Sequence, residues 1–244
     1  MPELPEVETI SRDLDSEIRG LSIREVEVLD ARVVRGISDK EFSRRLAGRK
    51  VSGVSRRGKA LLIDLGGLFL LVQPMMTGQL IVSNGPESKA LARATRVVFR
   101  LSKGRTLVYN DQRLFGRLTV VAQPDESEHV RSLGPEPLEP DFTADVLKAR
   151  LKGKNAPVKV VLLDGKCVAG IGNIYASEIL FCAGIHPARK AAELGAAELN
   201  RLWKATREVL AEAVRLRGTS MRDYRDGHGR KGGYLEVVRV YGRD

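Results

Sequence analysis

Apolar residues recur at helical spacing from the start of the chain. Val7, Ile10, Leu14 and Ile18 lie three to four residues apart, so residues 4–19 predict an amphipathic helix that stops at Gly20. The period then shortens to that of strands. Runs at 22–29, 51–56, 60–66, 68–74, 95–102, 105–110 and 117–122 are rich in Val, Leu and Ile and bounded by turn residues. One helix interrupts them at about 39–47, with Ser38 placed to cap it and Phe42 and Leu46 on its inward face. Residues 83–93 predict a surface loop. Three prolines between 133 and 141 rule out a helix or central strand and mark a linker. Beyond it the pattern is helical at 143–152, 156–164, 173–183 and 196–217, and 234–241 predicts a strand. The fold class is therefore α+β: a β-sandwich with a packed N-terminal helix over 1–132, the linker, a helical domain over 142–222, and a terminal loop and strand over 223–244.

Charge narrows the partner. The 244 residues carry 41 Lys+Arg against 31 Asp+Glu, a net charge of +10, which favours a polyanion without specifying which one. No apolar run approaches the ~20 residues of a membrane span, and no signal-peptide core opens the chain, so a soluble cytoplasmic protein is expected. Cys167 and Cys182 sit in apolar stretches and predict small buried hydrophobes; two thiols make no disulfide framework and no four-ligand metal site.

Several stretches carry candidate chemistry. The chain opens Met1-Pro2-Glu3-Leu4-Pro5-Glu6-Val7-Glu8. Removal of Met1 would expose a secondary amine at Pro2, with a pKa near ~8, beside a carboxylate able to move a proton. The same residues also make a good helix start, with proline in the first turn and acids at the positive end of the dipole. Lys59 follows Arg56-Arg57-Gly58 at a strand turn, where a lysine is ordinarily solvated. Met76-Thr77-Gly78 and Asp111 to Gly116 end apolar strands; Met76, Arg113 and Phe115 there read either as core or as a wedge that fills the hole left by an extruded base. Lys159 to Ala176 predicts a helix running into Gly170-Ile171-Gly172, then a helix opened by Asn173 whose amides would hold a phosphate. Lys148, Arg150, Lys152, Lys154 and Lys159 stand before this corner and favour DNA contact. Thr219 to Tyr234, which includes Arg230 and Lys231, is glycine-rich and predicts a flexible loop, with His228 solvated at its tip.

The opening octet, with five later stretches in the same order, resembles the formamidopyrimidine-DNA glycosylase family of bacterial base-excision repair enzymes. The resemblance covers almost the whole chain and implies a bifunctional glycosylase/AP lyase for oxidised purines, acting as a monomer on damaged double-stranded DNA. It implies Pro2, Glu3, Glu6 and Lys59 as the catalytic set, and Met76, Arg113, Phe115, Lys159, Asn173, Tyr175, Arg230 and Lys231 as DNA-binding. The 159–176 stretch matches the family's helix–two-turn–helix, and 219–234 its lesion-capping loop. The chain departs from the family at Gln73-Pro74, where histidine and leucine are usual, and at Gly165, where glutamine is. The family's four-cysteine zinc finger would follow Asp244, and no cofactor is expected here. The alternatives are a DNA-binding relic without activity, an endonuclease VIII-like enzyme for oxidised pyrimidines, or a basic ribosome or chromatin protein. Leu4 and Val7 fit the purine-specific branch.

Overall fold

A computed structural model describes residues 1–83 and 93–242. The expected surface loop at 83–93 falls almost wholly outside the described residues. Helix α1 (Leu4–Ile18) begins under a capping box between Glu3 and Glu6, in which the Glu6 side chain accepts the Glu3 N–H at 2.8 Å. Strand β1 (Ile23–Val28) follows, then β2 (Val34–Arg35) and α2 (Asp39–Leu46), whose Ser38 cap accepts from the Glu41 N–H as expected. The remaining strands are β3 (Gly53–Arg57), β4 (Ala60–Asp64), β5 (Phe69–Gln73), β6 (Gly78–Ser83), β7 (Thr95–Leu101), β8 (Thr106–Asp111) and β9 (Arg117–Val121). They form two sheets, ordered β1-β7-β8-β6 and β2-β9-β5-β4-β3, antiparallel except for the β2–β9 pair. The inward residues of both sheets share one core with Val7, Ile10, Leu14 and Ile18 of α1.

A single turn, α3 (Glu128–Arg131), precedes the helical half: α4 (Ala144–Leu151), α5 (Val158–Leu163), α6 (Asn173–Ala183) and α7 (Ala196–Arg215). These helices enclose a second core, and Leu4 belongs to it rather than to the first. One helix therefore supplies both cores. Its Leu4 N–H donates to the Gly170 carbonyl at 2.9 Å, and a Cβ on Gly170 would lie 2.7 Å from the Leu4 side chain. Burial of each such aliphatic side chain contributes roughly 1.5–3 kcal/mol.

Four expectations change. The segment 133–141 is irregular, as its prolines require, but it is bonded to both halves rather than free. Glu136 accepts the Gly58 N–H at 2.6 Å and pairs with both Arg56 and Arg57, while Gly134 donates to the Gly165 carbonyl at 2.8 Å. Arg56 is almost fully covered between Glu8 and Glu136, the kind of pair whose breaking costs about 3–5 kcal/mol. The tail 234–241 is no strand: Tyr234–Val237 is a 3-10 turn, and the amides of Arg239, Val240 and Tyr241 converge on the buried Glu178 carboxylate at 2.8–2.9 Å. Cys182 is exposed, since it faces away from the core on α6, whereas Cys167 is buried. Strand β6 is an addition to the sequence reading, because Pro74–Thr77 carries the chain from one sheet to the other within a few residues.

Glu178 gives the fold a direct test. Its replacement by alanine takes the acceptor from three amides and should lower stability by about 1–3 kcal/mol in urea denaturation, with faster hydrogen exchange at 239–241. Unchanged exchange there would mean that something else holds the tail.

Candidate active site

The centre of the site is a carboxylate where the Gly-Ile-Gly corner was expected to hold a phosphate. Glu3 accepts the N–H of Gly172 at 2.7 Å, of Ile174 at 2.9 Å and of Tyr175 at 3.3 Å. The anion site at the start of α6 is real, but the protein's own side chain fills it. Asn173 is accordingly the first residue of α6 and not its cap; Gly172 holds the cap position. Gly172 has no alternative here, since a Cβ would sit 2.3 Å from the Glu3 carboxyl carbon.

Glu6 lies one turn further along α1 with its oxygens also committed. Oε2 takes the Glu3 N–H, and Oε1 takes the Tyr175 hydroxyl at 2.5 Å and the Thr219 N–H at 2.6 Å. Tyr175 is thus corrected from a DNA contact to an interior strut: it is fully buried, and its hydroxyl is shared between Glu6 and Thr219. Burial followed by the charge of Glu6 pushes the Glu3 carboxyl up to about 7, against the pull of Lys59 and the α6 amides. Burial likewise raises Glu6. Lys59, half-buried at the β3–β4 turn, is pushed down by desolvation, while Glu3 and Glu6 hold it up. Glu3 is thereby placed for proton exchange near neutrality, with Glu6 and Lys59 as its charged neighbours.

Pro2 is buried beneath an exposed Met1 and borders two hollows. One, of about 260 Å³, is shared with Lys59, Gln73 and His129. The other is a cleft of about 450 Å³ that runs from Pro2 and Glu3 past Asn173 to Met76 and Arg113, with Met221 to Tyr224 along its far side. Met76 and Phe115 are exposed, not core. The Arg113 guanidinium stacks 4.9 Å from the centroid of the Phe115 ring, and its Nη1 lies 3.4 Å from the Met76 sulfur. Asp111 frames the group: it accepts the Thr77 hydroxyl at 2.5 Å, the Arg113 N–H at 3.2 Å and the Gly116 N–H at 2.7 Å. Met75 (φ 52°) and Leu114 (φ 58°) hold the two loops in left-handed backbone, strain of a kind that collects at functional sites. Pro74 enters after β5 has ended, and its carbonyl accepts the Gly78 N–H at 2.9 Å.

Other expected contacts lie elsewhere. Lys159 borders a separate hollow with Phe181 and Val240, and Lys148 and Lys152 line another surface pocket. Arg230 is turned toward Asp226 at 3.3 Å, and Lys231 is exposed; neither borders the cleft. The 219–234 segment is ordered, with Tyr224 and Asp226 buried, so its glycine content does not make it loose. Asp111 and Glu178 escape a reading of the sequence because an acid after a strand or inside a helix carries no mark of the amides it will meet. The two cysteines do not fit a four-thiolate zinc site: Cys167 points at the Arg150 carbonyl from the helical core, and Cys182 lies on the outer face of α6.

Both halves match known families. Residues 1–118 match the formamidopyrimidine-DNA glycosylase N-terminal domain, and residues 133–225 the formamidopyrimidine-DNA glycosylase H2TH domain. A formamidopyrimidine-DNA glycosylase of Moorella thermoacetica is 49% identical over 246 residues, spanning 100% of this chain and 89% of the relative. The crystal structure of the MutM (Fpg) protein from Thermus thermophilus superposes with a TM-score of 0.88 at 41% identity, over 100% of this chain and 88% of that one. A complex between Lactococcus lactis Fpg and an abasic site containing DNA superposes with a TM-score of 0.88 at 30% identity, over 98% and 88%. The architecture is that of the two-domain DNA glycosylases. Within them, this chain belongs to the formamidopyrimidine-DNA glycosylase family.

The raised Glu3 carboxyl predicts a pH signature. Below 4.5 the group is protonated folded or unfolded, and its contribution to stability is fully present. As pH rises through about 7 the folded protein must ionise a buried acid, and that contribution, on the order of 3 kcal/mol, is lost. The stability advantage over Glu3→Gln should therefore shrink between these values in urea titrations. An advantage that grows with pH would place the folded value below the unfolded one.

Proposed function

We propose that the protein is a base-excision-repair DNA glycosylase with AP lyase activity, removing oxidised purines from duplex DNA through an amine at Pro2. It acts as a monomer on chromosomal DNA in the bacterial cytoplasm. The observation that carries the reading is Pro2 at the mouth of the cleft, backed by Glu3 at the start of α6 and faced across it by the exposed Met76–Arg113–Phe115 group.

The course follows from those placements. With Met1 removed, the Pro2 nitrogen adds its lone pair to C1′ of a nucleotide turned into the cleft and gives up its proton, while the bond from C1′ to the damaged base breaks and the base leaves with that electron pair and takes up a proton. Glu3, near half-protonation at neutral pH, gives a proton to the sugar ring oxygen as the ring opens and an iminium forms between Pro2 and C1′. Loss of a C2′ proton then expels the 3′ phosphate, and a second elimination expels the 5′ phosphate. Lys59, close enough to feel Glu3 and Glu6, supplies positive charge where phosphate oxygens leave. Met76 and Phe115 fill the vacated stack, and the Arg113 guanidinium is free to donate to the orphaned base. Each step uses only groups of this chain, so no cofactor enters the proposal.

Two measurements test the scheme. Sodium borohydride should trap a covalent adduct on abasic-site DNA, Pro2→Gly should keep some trapping through its own terminal amine, and a form that retains Met1 should give none. Equal trapping with Met1 in place would sink the Pro2 assignment. Glu3→Gln should slow base removal by on the order of 10²–10⁴ while affinity for a tetrahydrofuran abasic analogue barely moves. A large fall in affinity with base removal intact would make Glu3 purely structural.

A further inference from the structure

Helix α1 has two buried faces, and only one is apolar. Beside the valine and isoleucine face, about 100° round the helix, runs a stripe of Glu6, Thr9 and Asp13, all buried. Each of the three meets the segment that follows α7. Glu6 takes the Thr219 N–H at 2.6 Å, Thr9 lies beside the Tyr224 hydroxyl, and Asp13 takes the Gly227 N–H at 3.1 Å. One guanidinium closes the arrangement. Arg217 Nη2 lies 2.5 Å from Asp13 and 2.6 Å from Asp226, while its carbonyl accepts the Tyr224 hydroxyl at 3.0 Å. Asp226 is fully buried and also accepts the N–H groups of His228 at 2.9 Å and Arg230 at 2.8 Å.

The backbone marks the same residue. Arg217 adopts φ 62°, a left-handed conformation that costs a non-glycine residue about 1–2 kcal/mol. Glycine would occupy that position without strain. The structure holds an arginine there, and its two carboxylate partners are what the strained backbone brings within reach. Between the anchored ends, Met221, Arg222 and Asp223 are exposed and stand along the cleft that Pro2 borders.

We propose that the Asp13–Arg217–Asp226 bridge registers this loop to the helix that carries the nucleophile, setting the height of the Met221–Asp223 tip above a base turned into the cleft. The inference rests on the glycosylase reading above. Asp13, Arg217 and Asp226 are positioning residues; none of them borders the cleft. Their effect falls on base excision and spares the elimination steps, because an abasic site offers the tip no base to meet.

Asp226→Asn separates the two roles of its carboxylate. One oxygen remains for the His228 and Arg230 amides, but an amide donor now faces Arg217, so the loop keeps its internal turn and its Gly227 bond to Asp13 while losing the ion pair that fixes it to Arg217. Excision of 8-oxoguanine from intact duplex should fall on the order of 10- to 10²-fold. Borohydride trapping at a pre-formed abasic site should stay within about threefold. Hydrogen exchange at residues 221–225 should quicken. Asp13→Asn should reproduce the pattern from the helix side, and Arg217→Lys, which keeps the cation without the fork, should fall between it and the unaltered protein. Parallel losses of excision and trapping in both aspartate variants would overturn the proposal, as would full excision with quickened loop exchange. Absence of trapping in the unaltered protein freed of Met1 would instead remove the glycosylase reading, and the exchange measurement would still decide whether the bridge holds the loop.

Discussion

Three amides at the start of α6 close on the Glu3 carboxylate, and the two halves of the protein meet through that contact. Burying a carboxylate is unfavourable unless hydrogen bonds and a positive potential replace its water; the free N–H groups and dipole of a helix start supply both. The compensation is incomplete, and the residue is left as an acid that titrates near 7 rather than in the usual carboxylate range. A structural joint and an acid that titrates near neutrality are thus one group. Gly172 and Gly170 give α1 the room to approach, so the glycines of the corner serve the sandwich domain as much as their own helices.

Around that joint, acids rather than bases do most of the fastening. Glu136 collects the β3–β4 turn that carries Lys59, Asp111 gathers the loops of Met76, Arg113 and Phe115, and Glu178 collects the tail. Each takes several donors, at least one of them from a segment distant in sequence, and so fixes a loop that has little apolar surface of its own to bury. A chain with a net charge of +10 commits many of its carboxylates to the inside, and the positive excess is left for the surface.

Much of this was legible in the sequence, and what was not has a common cause. The 3.6-residue period of α1, the alternation of the strands, the Ser38 cap and the prolines of 133–141 are local signals, and the corresponding elements appear where they fall. Pro2, Glu3, Lys59, Met76, Arg113 and Phe115 gather on the hollows beside Pro2 or at their rim. The differences concern what a polar residue meets. Tyr175 was expected at the DNA only from the family resemblance, and nothing local marks it for its partner Glu6, 169 residues away. The 234–241 stretch has strand composition, but three of its amides went to Glu178 instead of to a neighbouring strand. For Lys159 and Arg230 the sequence offers charge alone, which says nothing of direction.

The span of the Glu3 contact also bears on how the molecule is made. Glu3 and Glu6 find partners 169 to 213 residues downstream. During synthesis the first residues leave the ribosome long before α6 or Thr219 exist, and closing so long a loop is entropically slow. Until then nothing covers the amino terminus; afterwards Pro2 lies buried between the two halves, and Met1 alone is left in solvent.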